Sequence, residues 1–157
     1  MEKIVHLSSV HSPNDPRIFS KQCKSLAKSG YDVVLVVPHD QDEVIGGVQI
    51  KSVPVPENRF ERATKTMWQV YNAASKENAA VYHFHDPELI FVGMLLRMKG
   101  AKVIYDVHED YITSILQKGY LPKGIRRFLA SGIQVFEKMA RKLFLCDGTV
   151  PDGRGRR

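Results

Sequence analysis

The chain has 157 residues, 43% hydrophobic and 25% charged, a balance that gives one globular domain of ordinary size and excludes a chain disordered throughout. Its net charge is +6, but Arg154, Arg156 and Arg157 supply three of those charges. The remaining charge of about +3, with no strip of interleaved aromatic and basic residues, makes nucleic acid an unexpected partner.

Lys3–Ser9 is a short β-branched run, followed by the polar turn Ser12-Pro13-Asn14-Asp15-Pro16. Arg17–Ser29 carries Ile18, Phe19, Cys23, Leu26 and Ala27 at helical spacing, and Gly30 stops it. Tyr31–Val37 is nearly continuous in apolar residues, as in a strand covered on both faces. Gly46-Gly47 marks a turn, and Val48–Val53 alternates like a more exposed strand. Phe60–Asn78 predicts a helix with Ala63, Met67, Val70, Tyr71 and Ala74 on one stripe. Ala80–Phe84 predicts a strand, Pro87 opens a helix through Met98 that Gly100 ends, and Lys102–Val107 predicts another strand. Lys123–Leu143 is a long amphipathic helix, and Phe144–Val150 begins a further strand.

Alternation of strand and helix predicts an α/β fold, a Rossmann-like doubly wound parallel sheet with right-handed crossovers. Ligands bind such sheets at the carboxyl ends of the strands, which directs attention to the loops after Ser9, Phe84 and Val107. The first loop holds His11, Asn14, Asp15 and Arg17, the second His85-Asp86-Pro87-Glu88, the third His108-Glu109-Asp110. Four of the six histidines, His11, His83, His85 and His108, lie at or just beyond strand ends.

Asp86 before Pro87 can cap the following helix or contact a ligand; Glu88 suits the first helical turn. Arg17 at a helix start calls for a carboxylate or ligand partner, and Asp15 is the nearest carboxylate. His83 is expected to alternate away from His85, so that one of them faces helix packing. Cys23 and Cys146 are expected as buried free thiols. The N-terminus lacks the apolar core of a signal peptide, and no run reaches the roughly 20 apolar residues of a membrane span. The expected location is therefore cytoplasmic. The helix 123–143, flanked by Lys123, Arg126, Arg127, Lys138, Arg141 and Lys142, suits packing on the sheet with a solvated basic flank, or peripheral contact with an anionic membrane.

The run His11-Ser12-Pro13-Asn14-Asp15-Pro16-Arg17-Ile18-Phe19, with Gly30-Tyr31-Asp32-Val33, resembles the opening of a subgroup of bacterial family 4 glycosyltransferases. So do His83-Phe84-His85-Asp86-Pro87-Glu88-Leu89 and Val103-Ile104-Tyr105-Asp106-Val107-His108-Glu109-Asp110-Tyr111, in the same order, from the first strand to about Cys146. The resemblance implies the N-terminal, acceptor-side half of a retaining enzyme with two Rossmann-like domains (the GT-B architecture), needing neither metal nor other cofactor. It implies a domain over residues 1–148, an off-pattern tail over 149–157, and no donor-binding domain in this sequence, so that the chain alone is inactive. By the same resemblance the catalytic position is His108, and His11, Asp15, Arg17, His85, Asp86 and Glu109 bind a glycan or lipid-linked acceptor. The nucleotide-sugar would meet the missing C-terminal domain, in cell-surface polysaccharide synthesis.

The glycine pair that many relatives carry in the first loop is replaced here by Ser12-Pro13-Asn14-Asp15, which weakens backbone cradling of phosphate. Two other readings stand beside the transferase. His83, His85, Asp86 and His108 are residue types that ligate zinc or manganese in a metal-dependent hydrolase. A non-catalytic module binding a glycan or a partner fits as well.

Overall fold

The computed structural model describes residues 1–106, the helical positions Val135, Lys138 and Lys142, and the backbone of Leu145–Asp147. Strand β1 (Lys3–Leu7) leads to helix α1, which is π-type over Pro16–Cys23 and α-type over Lys24–Lys28. Strands β2 (Asp32–Pro38), β3 (Glu43–Ile45) and β4 (Val48–Val53) follow. Helix α2 is continuous through Arg59–Glu61, a π-type turn at Arg62–Thr66, and Met67–Lys76. Then come β5 (Val81–Phe84), helix α3 (a 3₁₀ turn at Pro87–Leu89, then Ile90–Met98), β6 (Lys102–Asp106) and β7 (Leu145–Asp147).

These strands form one sheet in the order β3-β4-β2-β1-β5-β6-β7, and every pair is parallel except β3 with β4. Without the edge strand β3 the order is that of a Rossmann sheet, whose order reverses between β1 and β5. The fold class is thus as expected. The sheet is not wholly parallel, however. Gly46 (φ 57°) and Gly47 (φ 82°) both take left-handed conformations, which closes a tight hairpin and adds the antiparallel strand β3.

Two cores flank the sheet. On one face Val5, Leu7, Val34, Val36, Tyr82, Phe84, Val103 and Tyr105 pack under α2 and α3, where Val70, Ala74, Ile90 and Leu96 are buried. On the other face α1 lays Ile18, Phe19 and Cys23 over Val33, Leu35, Val37, Val48 and Ile50. Cys23 is buried and free, as expected. Strand registers pair Leu35 with His6, His6 with His83, and His83 with Ile104. The α1 face thereby passes from an apolar patch on β2 and β4 to an imidazole patch on β1 and β5.

Residues 107–134, which include His108, Glu109 and the start of the long helix, lie outside the described residues, as does 148–157 with the expected tail. Within the rest of that helix Val135, Lys138 and Lys142 are helical and exposed. Among the described residues no helix is long and apolar enough to cross a membrane.

Candidate functional site

At the carboxyl ends of β1 and β5 the first two loops are tied together by Asp86. Its Oδ2 accepts from Ser8 Oγ (2.7 Å) and from the Ser9 amide (2.8 Å), and the residue is 3% exposed. Ser8 Oγ in turn accepts from the amides of Val10 (3.2 Å) and His11 (2.9 Å), folding the loop back on itself. Ser9 Oγ donates to Glu88 (3.1 Å), and Glu88 pairs with Arg62 of α2 at 2.6 Å. Asp86 makes no side-chain hydrogen bond to the following helix. Of the two roles expected for it, capping is absent; its visible contacts hold the neighbouring loop.

Asp15 caps α1, its Oδ1 accepting from the amides of Arg17 (2.9 Å) and Ile18 (2.8 Å). Its other oxygen meets His11 Nδ1 at 3.0 Å, and His11 Nε2 lies 3.6 Å from Asp86. Burial opposes ionisation of Asp15, but the Ile18 amide, His11 and the Arg17 amide hold its carboxyl below the usual range.

Asp106, at the end of β6, is the second junction. Its Oδ2 receives Arg17 Nη1 (2.9 Å), Gln22 Nε2 (3.1 Å) and His85 Nδ1 (3.1 Å). Arg17 thus pairs with Asp106, and Asp15 engages its backbone instead of its guanidinium. Arg17 and Gln22 are five residues apart, a spacing that would diverge on an α-helix, where neighbours on one face are three or four apart. The π-type winding of Pro16–Cys23 brings them to one side. Burial raises the Asp106 pKa, yet hydrogen bonds from His85 and Gln22 and the charge of Arg17 outweigh it, and the carboxyl ionises well below its usual range.

Beneath Asp106 lie His6, His83 and His85, exposed by 0%, 8% and 1%. His6 Nδ1 sits 3.1 Å from His85 Nε2, and the His83 ring lies 4.8 Å from that of His6 and 4.6 Å from that of His85. The expectation that His83 and His85 point apart is wrong. Side chains two apart on a strand share a face, and both turn toward α1 with His6. Burial is the main cause that depresses all three pKa values, His83 to about 3, so the imidazoles are neutral. Because an ionised Asp106 accepts from His85 Nδ1–H, His85 Nε2 is a lone pair and His6 Nδ1 carries the proton between them.

Of the expected site residues, His11, Asp15, Arg17, His85 and Asp86 are drawn into this one network, while His108 and Glu109 fall outside the described residues. For the metal-hydrolase reading, Asp86 lies with the serine loop and not with His83 and His85. Sequence reasoning missed His6, Ser8, Ser9, Gln22 and Arg62. His6 had a visible signal: in a parallel sheet a histidine on β1 can register beside the His83-x-His85 pair of β5.

Sheet order, helices on both faces and a polar cluster at the strand-order reversal define a Rossmann-like domain, a fold whose members bind ligands at that edge. The sequence profile of the glycosyl transferase 4-like domain matches residues 17–148, and the chain belongs to that family. No curated protein matches the sequence. Among solved structures the chain is similar to sucrose-phosphate synthase from Thermosynechococcus elongatus, with a TM-score of 0.60 and 16% identity. That match covers 89% of this chain and 40% of that one, and at such identity it speaks for the fold alone.

Proposed function

We propose that residues 1–148 form the acceptor-side domain of a retaining glycosyltransferase, which positions a glycan or lipid-linked acceptor for a nucleotide-sugar held by a second domain. The observation that carries this reading is the convergence of the loops after β1 and β5 and of the end of β6 through Asp86 and Asp106, at the sheet edge where Rossmann-like folds bind ligands. Family membership over residues 17–148 supports it. Within the acceptor site, His11 and Arg17 have partly exposed side chains (24% and 34%) and offer N–H donors to sugar hydroxyls. Asp15, Asp86 and His85 hold those two in place, Glu109 is a further acceptor-binding residue, and His108 is the catalytic residue. No metal or cofactor takes part in the transfer. The domain works in the cytoplasm, with peripheral contact at the membrane's inner face when the acceptor is lipid-linked, in polysaccharide synthesis.

Because the chain spans 40% of the matched synthase, the 157 residues alone are proposed to bind acceptor but not turn over. Calorimetry with uridine and guanosine diphosphate-sugars should give no measurable heat, whereas saturation-transfer NMR with a panel of oligosaccharides should show contacts that Arg17→Gln weakens. Micromolar nucleotide-sugar binding, or oligosaccharide contacts indifferent to Arg17→Gln, would overturn the assignment.

A further inference from the structure

His6, His83 and His85 are more than a packed core. One ring nitrogen of each lies within 4.8 Å of the others. Ring centroids at 4.6, 4.8 and 5.4 Å place His83 against the junction where His6 meets His85. Zinc–imidazole bonds of about 2.0–2.1 Å separate neighbouring nitrogens of a tetrahedron by about 3.4 Å. The His6–His85 pair, at 3.1 Å, already has nearly that spacing. His83 Nε2 is buried and has no hydrogen-bond partner among the described residues. A buried polar atom left without a partner is uncommon and asks for an explanation. Asp106 supplies the outer support such sites use, a carboxylate that accepts the far N–H of a ligating histidine and so fixes its tautomer.

We propose that His6, His83 and His85 bind a divalent cation of the zinc class, tying β1 to β5 beneath the loops of the acceptor site. The metal replaces the hydrogen bond between His6 and His85, and the proton on His6 Nδ1 moves to its own Nε2. That atom has no described hydrogen-bond partner in either tautomer. His83 closes by up to about 1.4 Å, from the 4.8 Å bound to the tetrahedral spacing, and water takes the fourth position. Three neutral imidazoles suit zinc, cobalt or nickel and disfavour magnesium and calcium. No reaction is assigned to the ion. Its part is to hold His85, through it Asp106, and so the guanidinium of Arg17.

The test uses the 157-residue chain without an affinity tag, stripped with chelator and titrated with zinc chloride or cobalt chloride. One equivalent should bind, the cobalt protein should show the visible bands of a tetrahedral site, and the melting temperature should rise. His83→Gln should weaken binding at least about tenfold, and His83→Cys should restore it with a thiolate-to-cobalt charge-transfer band. His39→Gln, remote from the trio, should leave binding unchanged. If His83→Gln does not fold, the wild-type cobalt protein decides alone, through three exchangeable imidazole protons with paramagnetic shifts. Absence of binding, binding unaltered by His83→Gln, or a cobalt spectrum without those three protons would refute the site. None of these readouts depends on sugar binding, so failure here leaves the transferase reading standing.

Discussion

Asp86→Ala removes the acceptor of the Ser8 hydroxyl and the Ser9 amide in a place where water does not replace it, since the residue is 3% exposed. Hydrogen bonds to a charged partner contribute about 1.5–3 kcal/mol each, which puts the pair at roughly 3–6 kcal/mol. Deleting the carboxylate also relieves its own burial, so the lower end, about 3 kcal/mol, is the expected loss. Against a domain stability of about 5–15 kcal/mol that is a large fraction. Urea denaturation should show the midpoint fall with an unchanged slope, because the unfolded surface is the same. Asp86→Asn retains an oxygen for both donors but not the charge that strengthens their bonds, and should lose about half as much. Amide exchange at Ser9 and His11 should accelerate in both variants ahead of the strands. A loss under about 1 kcal/mol for Asp86→Ala would show that Asp86 does not clamp the loop, and would return it to the ligand contacts.

In chelator, acid should destabilise the domain sooner than its carboxylates alone would cause. The folded pKa values of His6, His83 and His85 lie below the ordinary 6.5, so the unfolded chain takes up protons first. Their stabilisation is complete above about pH 6.5 and lost as pH falls, by at most about 4 kcal/mol per unit if all three stay neutral when folded; urea midpoints from pH 7.5 to 5 that stay flat would contradict this. Gly47→Ala at φ 82° should cost about 1–2 kcal/mol through backbone strain alone, since the nearest atom to an added Cβ is Ala27 Cβ at 3.8 Å; thermal melts check it. In a longer transferase carrying the same Asp-Val-His-Glu-Asp run, the change matching His108→Ala should lower turnover about 10²-fold with donor affinity and folding kept, and unchanged turnover would end the catalytic assignment.

Much of the fold was legible because its signals are local. Tyr31–Val37 is apolar throughout since both sheet faces are covered, and Gly30 and Gly100 stop their helices with φ near 90°. Strand β3 escaped notice because three residues, Glu43-Val44-Ile45, are too few to alternate, although the Gly46-Gly47 turn beside them demanded a partner strand. At the site, sequence reasoning singled out the two loops that Asp86 ties together but missed how their side chains pair. For Arg17 the chain offers a ligand or a carboxylate, with Asp15 the nearest, whereas π-type winding directs it, with Gln22, to Asp106, 89 residues away. His6 carries no motif of its own; its meaning comes from register against His83, which depends on strand order. Asp86 beside Pro87 has the form of a helix cap, and only the packing of β1 against β5 reveals two serine-loop donors instead.

The most direct test of the acceptor-domain account is a two-dimensional amide NMR titration of the 157-residue chain, first with oligosaccharides and then with nucleotide-sugars. The account predicts that oligosaccharide shifts concentrate at Ser9–Arg17 and His85–Glu88 and diminish in Arg17→Gln, while nucleotide-sugars leave the spectrum unchanged. Oligosaccharide shifts confined to the opposite end of the sheet, or saturable nucleotide-sugar binding at those same loops, would contradict it.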